Sequence, residues 1–248
     1  MTLYPPSLQL AGHPYLPERL GFRKLLGFLN PQLAQLLRTT QPYTLMSGRN
    51  RTTLYREGQR VLCGGVPGDF VEIGVHRGGS AGILAALIRE DAERALHLFD
   101  RWGDLPEPTA EDGFRRDEYR KDRIADKLAE LVEDPPLERT RHLIEDLLGF
   151  PAERLRYYAG WYSDTFATYP GAPIAMASLD CDYYESMRDA LRFVDLFASR
   201  GATIVADDYA SWPGARQAVD EWVASTSRTV RLYPLSTGPA VIRLDGQR

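Results

Sequence analysis

The chain has 248 residues, 44% hydrophobic and 26% charged, which accommodates one α/β domain with additions or two small domains around a sizeable core. A net charge of −4 offers no basic footprint for nucleic acid, and the longest apolar run is far too short to span a membrane. Two cysteines, Cys63 and Cys181, exclude a disulfide scaffold, and the opening MTLYPPSLQL lacks the basic flank and apolar block of a secretory signal, so a cytoplasmic setting is expected.

Residues 1–17 carry several prolines without periodicity and are expected to lie extended over the surface or against a partner. Between 18 and 37 leucines and phenylalanines recur around Pro31, which predicts a pair of short helices, and 51–66 repeats Leu54, Val61 and Leu62 at helical spacing. Residues 1–66 therefore read as a helical extension serving as lid or interface in a homo-oligomer, ahead of a main domain over 67–248.

That domain opens with the turn Pro67-Gly68, a buried strand over 69–75, the glycine turn HRGGS and a helix over 81–89. Strand, glycine-rich turn and helix form the first unit of a nucleotide-binding α/β fold. Gly74 would let the backbone turn and a ligand approach closely, while Gly78 and Gly79, followed by Ser80, would leave amides uncovered at a helix amino terminus; packing alone is the other use of such glycines. The second strand, 95–99, ends at Asp100, where a carboxylate either holds a ribose diol or caps a turn. RWGDLPEPTAEDG then reads as a loop over the site, either a lid or solvated surface.

An amphipathic helix is expected over 117–133 and another over 139–148, followed by a short strand over 155–158. Gly160 and Trp161 follow that strand, placing an aromatic ring where it would cover an adenine or simply join the core. The strand 174–179, helix 187–197, strand 203–206 and helix 214–224 complete alternating units and imply a parallel sheet. The strands 230–233 and 240–244, joined by PLSTGP, put an antiparallel strand at the end, which favours the methyltransferase variant of the doubly wound fold over a dehydrogenase.

SLDCDYYES carries Asp180 and Asp182 at the end of one buried strand, and Asp207-Asp208 follow another. Two acidic pairs at neighbouring strand ends point to a hard divalent cation; the plainer reading is strand-end and helix-cap aspartates. No histidine lies at ligand spacing, so zinc hydrolysis is not expected. Cys181 has no basic partner in sequence and reads as a packing residue. Tyr183, Tyr184 and Trp212 are either acceptor-pocket or core residues.

YTLMSGRNR, VPGDFVEIGVHRGG, LFDRWGDLPEP, AGWYSDT, LDCDYYES and VADDYASWPGARQAVDEW, in this order and spacing from about Tyr43 to Trp222, resemble the macrocin O-methyltransferase type of sugar methyltransferase from antibiotic biosynthesis. The resemblance implies a Rossmann-like class I methyltransferase, S-adenosylmethionine, and Mg, with Mn as an alternative. It places the metal on Asp180, Asp207 and Asp208 and the general base on Asp182. The cofactor falls on Glu72, Gly74, the turn residues Gly78, Gly79 and Ser80, Asp100, Gly160, Trp161 and Asp180, with Thr44 and Met46 closing over its methionine end. The chain departs from the family pattern at Cys181, where glycine is expected, at Arg101, where serine is usual, and at His76, often tryptophan.

The expected function is therefore transfer of a methyl group to a hydroxyl of a vicinal diol, on a sugar of a natural product. A catechol acceptor would satisfy the same metal. A non-catalytic scaffold would have no reason to keep four aspartates, and an NAD-dependent oxidoreductase no use for two acidic pairs.

Overall fold

The computed structural model describes residues 30–103, 106–113, 135–235 and 238–247. The expected extended segment 1–17, the first part of the paired helices from 18, and the amphipathic helix 117–133 lie outside the described residues.

Helices α1 (Pro31–Thr40) and α2 (Gly48–Cys63) precede β1 (Asp69–Ile73), α3 (Gly79–Ile88), β2 (Leu96–Asp100) and α4 (Pro136–Arg141), which runs into a π-helical turn at His142–Leu147. β3 (Leu155–Ala159), α5 (Tyr162–Thr165), β4 (Ile174–Leu179), α6 (Tyr184–Phe197), β5 (Ala198–Ala206), α7 (Pro213–Ser225), β6 (Arg228–Pro234) and β7 (Ala240–Gln247) follow. The seven strands lie in the order β3-β2-β1-β4-β5-β7-β6, with β7 antiparallel between β5 and β6. Among the described residues, no helix is long and apolar enough to cross a membrane.

Alternation along the strands builds two cores. Phe70, Leu96 and Leu98 face one side with Leu54 of α2 and Ile83 and Leu84 of α3, while Val71, Ile73 and Phe99 face the other with Phe193 of α6 and Trp222 of α7. α3, GSAGILAALI, is apolar nearly all round because it is covered by the sheet on one side and by α2 on the other. The leading helices are bolted to the sheet: buried Glu57 takes Nε and Nη2 of Arg243 on β7 at 3.0 and 2.7 Å and Nε of Arg60 at 3.0 Å. Buried Arg51 donates to Leu37 O and Thr40 Oγ1, tying α2 to the end of α1.

Several elements differ at their ends from their sequence reading, and three of the starts have a clear physical reason. α6 starts at Tyr184 rather than 187, because the Tyr184 amide is served by Asp112 Oδ1 at 2.8 Å, from a loop far back in the chain. β5 starts at Ala198 rather than 203: Ala198 pairs with Ile174 and Thr203 with Met176, so the polar stretch between them bulges, with Gly201 at φ +85°. α4 starts at Pro136, a residue preorganised for a first helical turn.

Asp112 is fully buried, and its Oδ2 also accepts Thr109 N at 2.7 Å, so one carboxylate anchors the 106–113 loop and serves the start of α6. Asp112→Ala should cost about 1–2 kcal/mol, a fall on the order of 2–8 °C in Tm for a chain of this size. An unchanged thermal melt would show that the loop is held by other contacts.

Candidate active site

The carboxyl ends of β1, β2, β4 and β5 open into a cleft of about 1070 Å³. Register decides what meets there. Ile73 pairs with Phe99 and with Leu179, and Leu179 pairs with Ala206, so Gly74, Asp100, Asp180 and Asp207, each the last strand residue or its successor, come together at one edge. This is the reversal point of strand order, where ligands bind in open α/β sheets.

The glycine turn is organised by Asp100. Its Oδ2 accepts the Val75 and His76 amides at 2.6 and 2.8 Å, and its Oδ1 accepts the Trp102 amide at 2.6 Å. The His76 backbone is held at φ +53° within this turn. A Cβ on Gly74 would lie 1.9 Å from Asp180 O, so this glycine makes room for the neighbouring strand, and it also lines the cleft. Of the two amides expected to be uncovered, that of Gly78 is taken. Gly78 N donates to Val75 O at 2.9 Å, and Gly78 and Gly79 make room for the close approach of Thr140 and Thr44.

Glu72 is wholly buried beneath the turn, paired with Ser178 across β4. Burial pushes its carboxyl up to about 8, the nearby Ser80 and Ser178 hydroxyls offset this only in part, and neither oxygen is in hydrogen-bonding geometry. In the ligand-free protein the folded state therefore binds more protons than the unfolded chain between about pH 4.5 and 8, so stability is lost as pH rises through that window. Glu72→Gln should flatten this slope, by up to about 1 kcal/mol per pH unit. Denaturant titrations of both proteins at pH 5 and 7.5 measure it, and parallel slopes would contradict the assignment.

Asp180, Asp207 and Asp208 bring carboxylate oxygens within 4.8 Å of one another. Burial, then Asp208 and Asp207, hold the Asp180 carboxyl well above the usual range; burial, then Asp182, does the same for Asp208. Asp207 is pushed up to about 6 by burial, against a stabilising hydrogen bond from Asn50 Nδ2 at 2.8 Å. Asp182 is half-buried at the centre of a three-residue turn closed by Tyr183 N to Cys181 O at 2.6 Å, with φ +59°, and its amide donates to Asp208 Oδ2 at 2.9 Å. Positive φ in so tight a turn stores strain, which concentrates at functional sites. The oxygen-only donor set fits a hard divalent cation such as Mg²⁺ or Mn²⁺, whose charge would relieve the mutual repulsion.

Thr44, Met46, Ser80, Gly160 and Trp161 also line the cleft, as do Leu45, Ser47 and Asn50. Met46 is buried, and its amide donates to Thr44 Oγ1 at 3.0 Å. Trp161 is 42% exposed at the mouth, with the Arg101 guanidinium 4.2 Å from its ring centre. Tyr183 and Trp212 pack edge to face at 5.2 Å and line the far side, whereas Tyr184 turns its hydroxyl to Glu221 at 2.7 Å. Cys181 is buried, with Sγ 3.4 Å from Ile73 O and its thiol pushed well up by burial, which agrees with a packing role. Sequence reasoning missed Asn50; the only local signal was the Ser47 cap that starts its helix.

Fold and cleft together define a class I Rossmann-like methyltransferase. The macrocin-O-methyltransferase (TylF) family model matches residues 38–233, and the chain belongs to that family. It is 36% identical over 154 residues to an 8-demethyl-8-(2,3-dimethoxy-alpha-L-rhamnosyl)-tetracenomycin-C 4'-O-methyltransferase of Streptomyces olivaceus, covering 61% of this chain and 57% of that protein. To a demethyldecarbamoylnovobiocin O-methyltransferase of Streptomyces niveus it is 32% identical over 166 residues, 66% of this chain and 61% of the relative. The chain thus matches about three fifths of the length of these relatives. The solved structure of the O-methyltransferase NovP superposes with a TM-score of 0.65 at 25% identity, covering 83% of both chains.

Proposed function

We propose that the protein transfers a methyl group from S-adenosylmethionine to one hydroxyl of a vicinal diol on a sugar of a small natural product, with a divalent cation, Mg or Mn, in the cleft. The observation that carries this reading is the convergence of Asp180, Asp182, Asp207 and Asp208 at one cleft edge beside the glycine turn. Family membership and the activities named for the two relatives, both O-methyltransferases, support it.

When bound, the cofactor supplies an electrophilic methyl group and the cation supplies positive charge that lowers the pKa of a chelated hydroxyl. Asp180, Asp207 and Asp208 would hold the cation. Asp182, on its strained turn, takes the proton released as the acceptor oxygen forms its new bond to carbon. Glu72, buried beneath the glycine turn, stands on the side assigned to the cofactor, and Asp100 fixes the turn against which the nucleoside would rest. Trp161 with Arg101 covers the mouth, and Thr44 and Met46 close the methionine end. Tyr183 and Trp212 give the acceptor an aromatic wall, which helps align it for in-line attack. In this reading residues 1–66 are an extension and lid on a methyltransferase domain over 67–248.

The test is incubation of purified protein with S-adenosylmethionine, Mg²⁺ and a panel of glycosides bearing vicinal diols, with catechol alongside, read by mass spectrometry. Methylated glycoside, lost on chelation, is the expected result. Methylation of catechol alone would reassign the acceptor, and calorimetry showing NAD bound tightly with no response to the sulfonium cofactor would overturn the reading.

A further inference from the structure

The Asp207 carboxylate accepts Asn50 Nδ2 on Oδ1 at 2.8 Å, from a residue far away in sequence on a different part of the fold. Its orientation is defined by Ser47, whose hydroxyl accepts the Asn50 amide at 3.1 Å and donates to Asn50 Oδ1 at 2.9 Å. A flipped side-chain amide would point its carbonyl at the carboxylate and its NH₂ at the cap, so the donor faces Asp207. The helix carrying Asn50 is held to the sheet by the Glu57–Arg243 pair, which gives the donor a firm base.

The same short stretch reaches the other half of the cleft. A Cβ on Gly79, the first residue of α3, would lie 2.5 Å from Thr44 Cβ, and Thr44 and Met46 line the cleft on the side of the glycine turn. Thr44 to Asn50 therefore touches both the turn and the acidic cluster. An uncharged donor is well suited to this place, because it fixes the rotation of a carboxylate without adding charge to a crowded acidic site and without competing for an ion.

We propose that Asn50 is a positioning residue for the cation-binding carboxylate, and that through the 44–50 segment it couples occupancy of the cofactor side to affinity for the divalent cation. This rests on the metal reading given above. Coupling of this kind is reciprocal: whatever orders the segment on the cofactor side tightens the cation, and the cation tightens the cofactor.

The experiment is titration of Mn²⁺, with free ion followed by electron paramagnetic resonance, into wild type, Asn50→Ala, Ser47→Ala and Asp207→Ala, each with and without S-adenosylhomocysteine. Wild type should bind Mn²⁺ about fivefold or more tightly when the thioether is present. Asn50→Ala should weaken Mn²⁺ by about tenfold or more and lose most of that enhancement. Ser47→Ala, which keeps the donor but frees its rotation, should fall between, and it carries the test alone if Asn50→Ala does not fold. Thermal melts of metal-free protein separate this from a merely structural role, which would lower Tm and leave the affinity of the folded fraction unchanged. Wild-type affinity and enhancement in both Asn50→Ala and Ser47→Ala, with Mn²⁺ lost in Asp207→Ala, would overturn the inference while leaving the metal reading intact. Equal, negligible Mn²⁺ binding by wild type and Asp207→Ala would instead remove the metal reading, and the inference with it.

Discussion

Asp207→Ala is expected to cut metal-dependent turnover by on the order of a thousandfold or more, since a lost carboxylate forfeits several kcal/mol of charge stabilisation around a bound cation. Metal-free binding of S-adenosylhomocysteine should be essentially unchanged, because Asp207 follows β5 while Glu72 and Asp100, the groups proposed for the cofactor, belong to β1 and β2. Stability should move the other way. Without metal, Asp180, Asp207 and Asp208 crowd within 4.8 Å, and burial together with their mutual charge raises the first and third well above the usual carboxylate range. Removing one of the three relieves that repulsion, so metal-free Asp207→Ala should melt at or above metal-free wild type near neutral pH. Saturating Mg²⁺ should then raise only the wild type, by preferential binding to its folded state. Full activity of wild type in excess chelator, or a melt of the variant that rises with Mg²⁺ as wild type does, would contradict the assignment.

The parts of this fold that could be read from sequence are those whose causes are local. β4 spans Ile174–Leu179, the limits its apolar run predicts, because every residue in it is buried. β5 was legible only in its second half, since Ser199, Arg200 and Gly201 form a polar bulge that carries no strand pattern. The start of α6 depends on Asp112, 72 residues earlier, and no local cap announces it. The two acidic pairs were legible because each follows a buried strand; that those strands are neighbours in register was needed to bring them together. Asn50 had no such signal, being brought to Asp207 only by the packing of α2 on the sheet. The glycine turn was legible, but not the close approach of the Asp180 carbonyl to Gly74, which only the pairing of β1 with β4 brings about.

Asp182→Asn is expected to slow the chemical step by roughly two to four orders of magnitude, the usual contribution of a positioned general base. The substitution is informative because it leaves the geometry alone. Asp182 occupies φ +59° in its three-residue turn, and asparagine tolerates left-handed backbone as readily as aspartate, so the turn and the amide donated to Asp208 Oδ2 should persist. Mn²⁺ binding should therefore be retained, which separates this variant from Asp207→Ala. What changes is one oxygen: a carboxylate that can take a proton becomes an amide that cannot. If instead a chelated hydroxyl loses its proton directly to solvent, the carboxylate contributes only charge, and single-turnover rates in Asp182→Asn would remain close to wild type. Single-turnover measurement with saturating cofactor and metal distinguishes the two, since it reads methyl transfer without product release, and a rate within a few fold of wild type would remove Asp182 from the role of base.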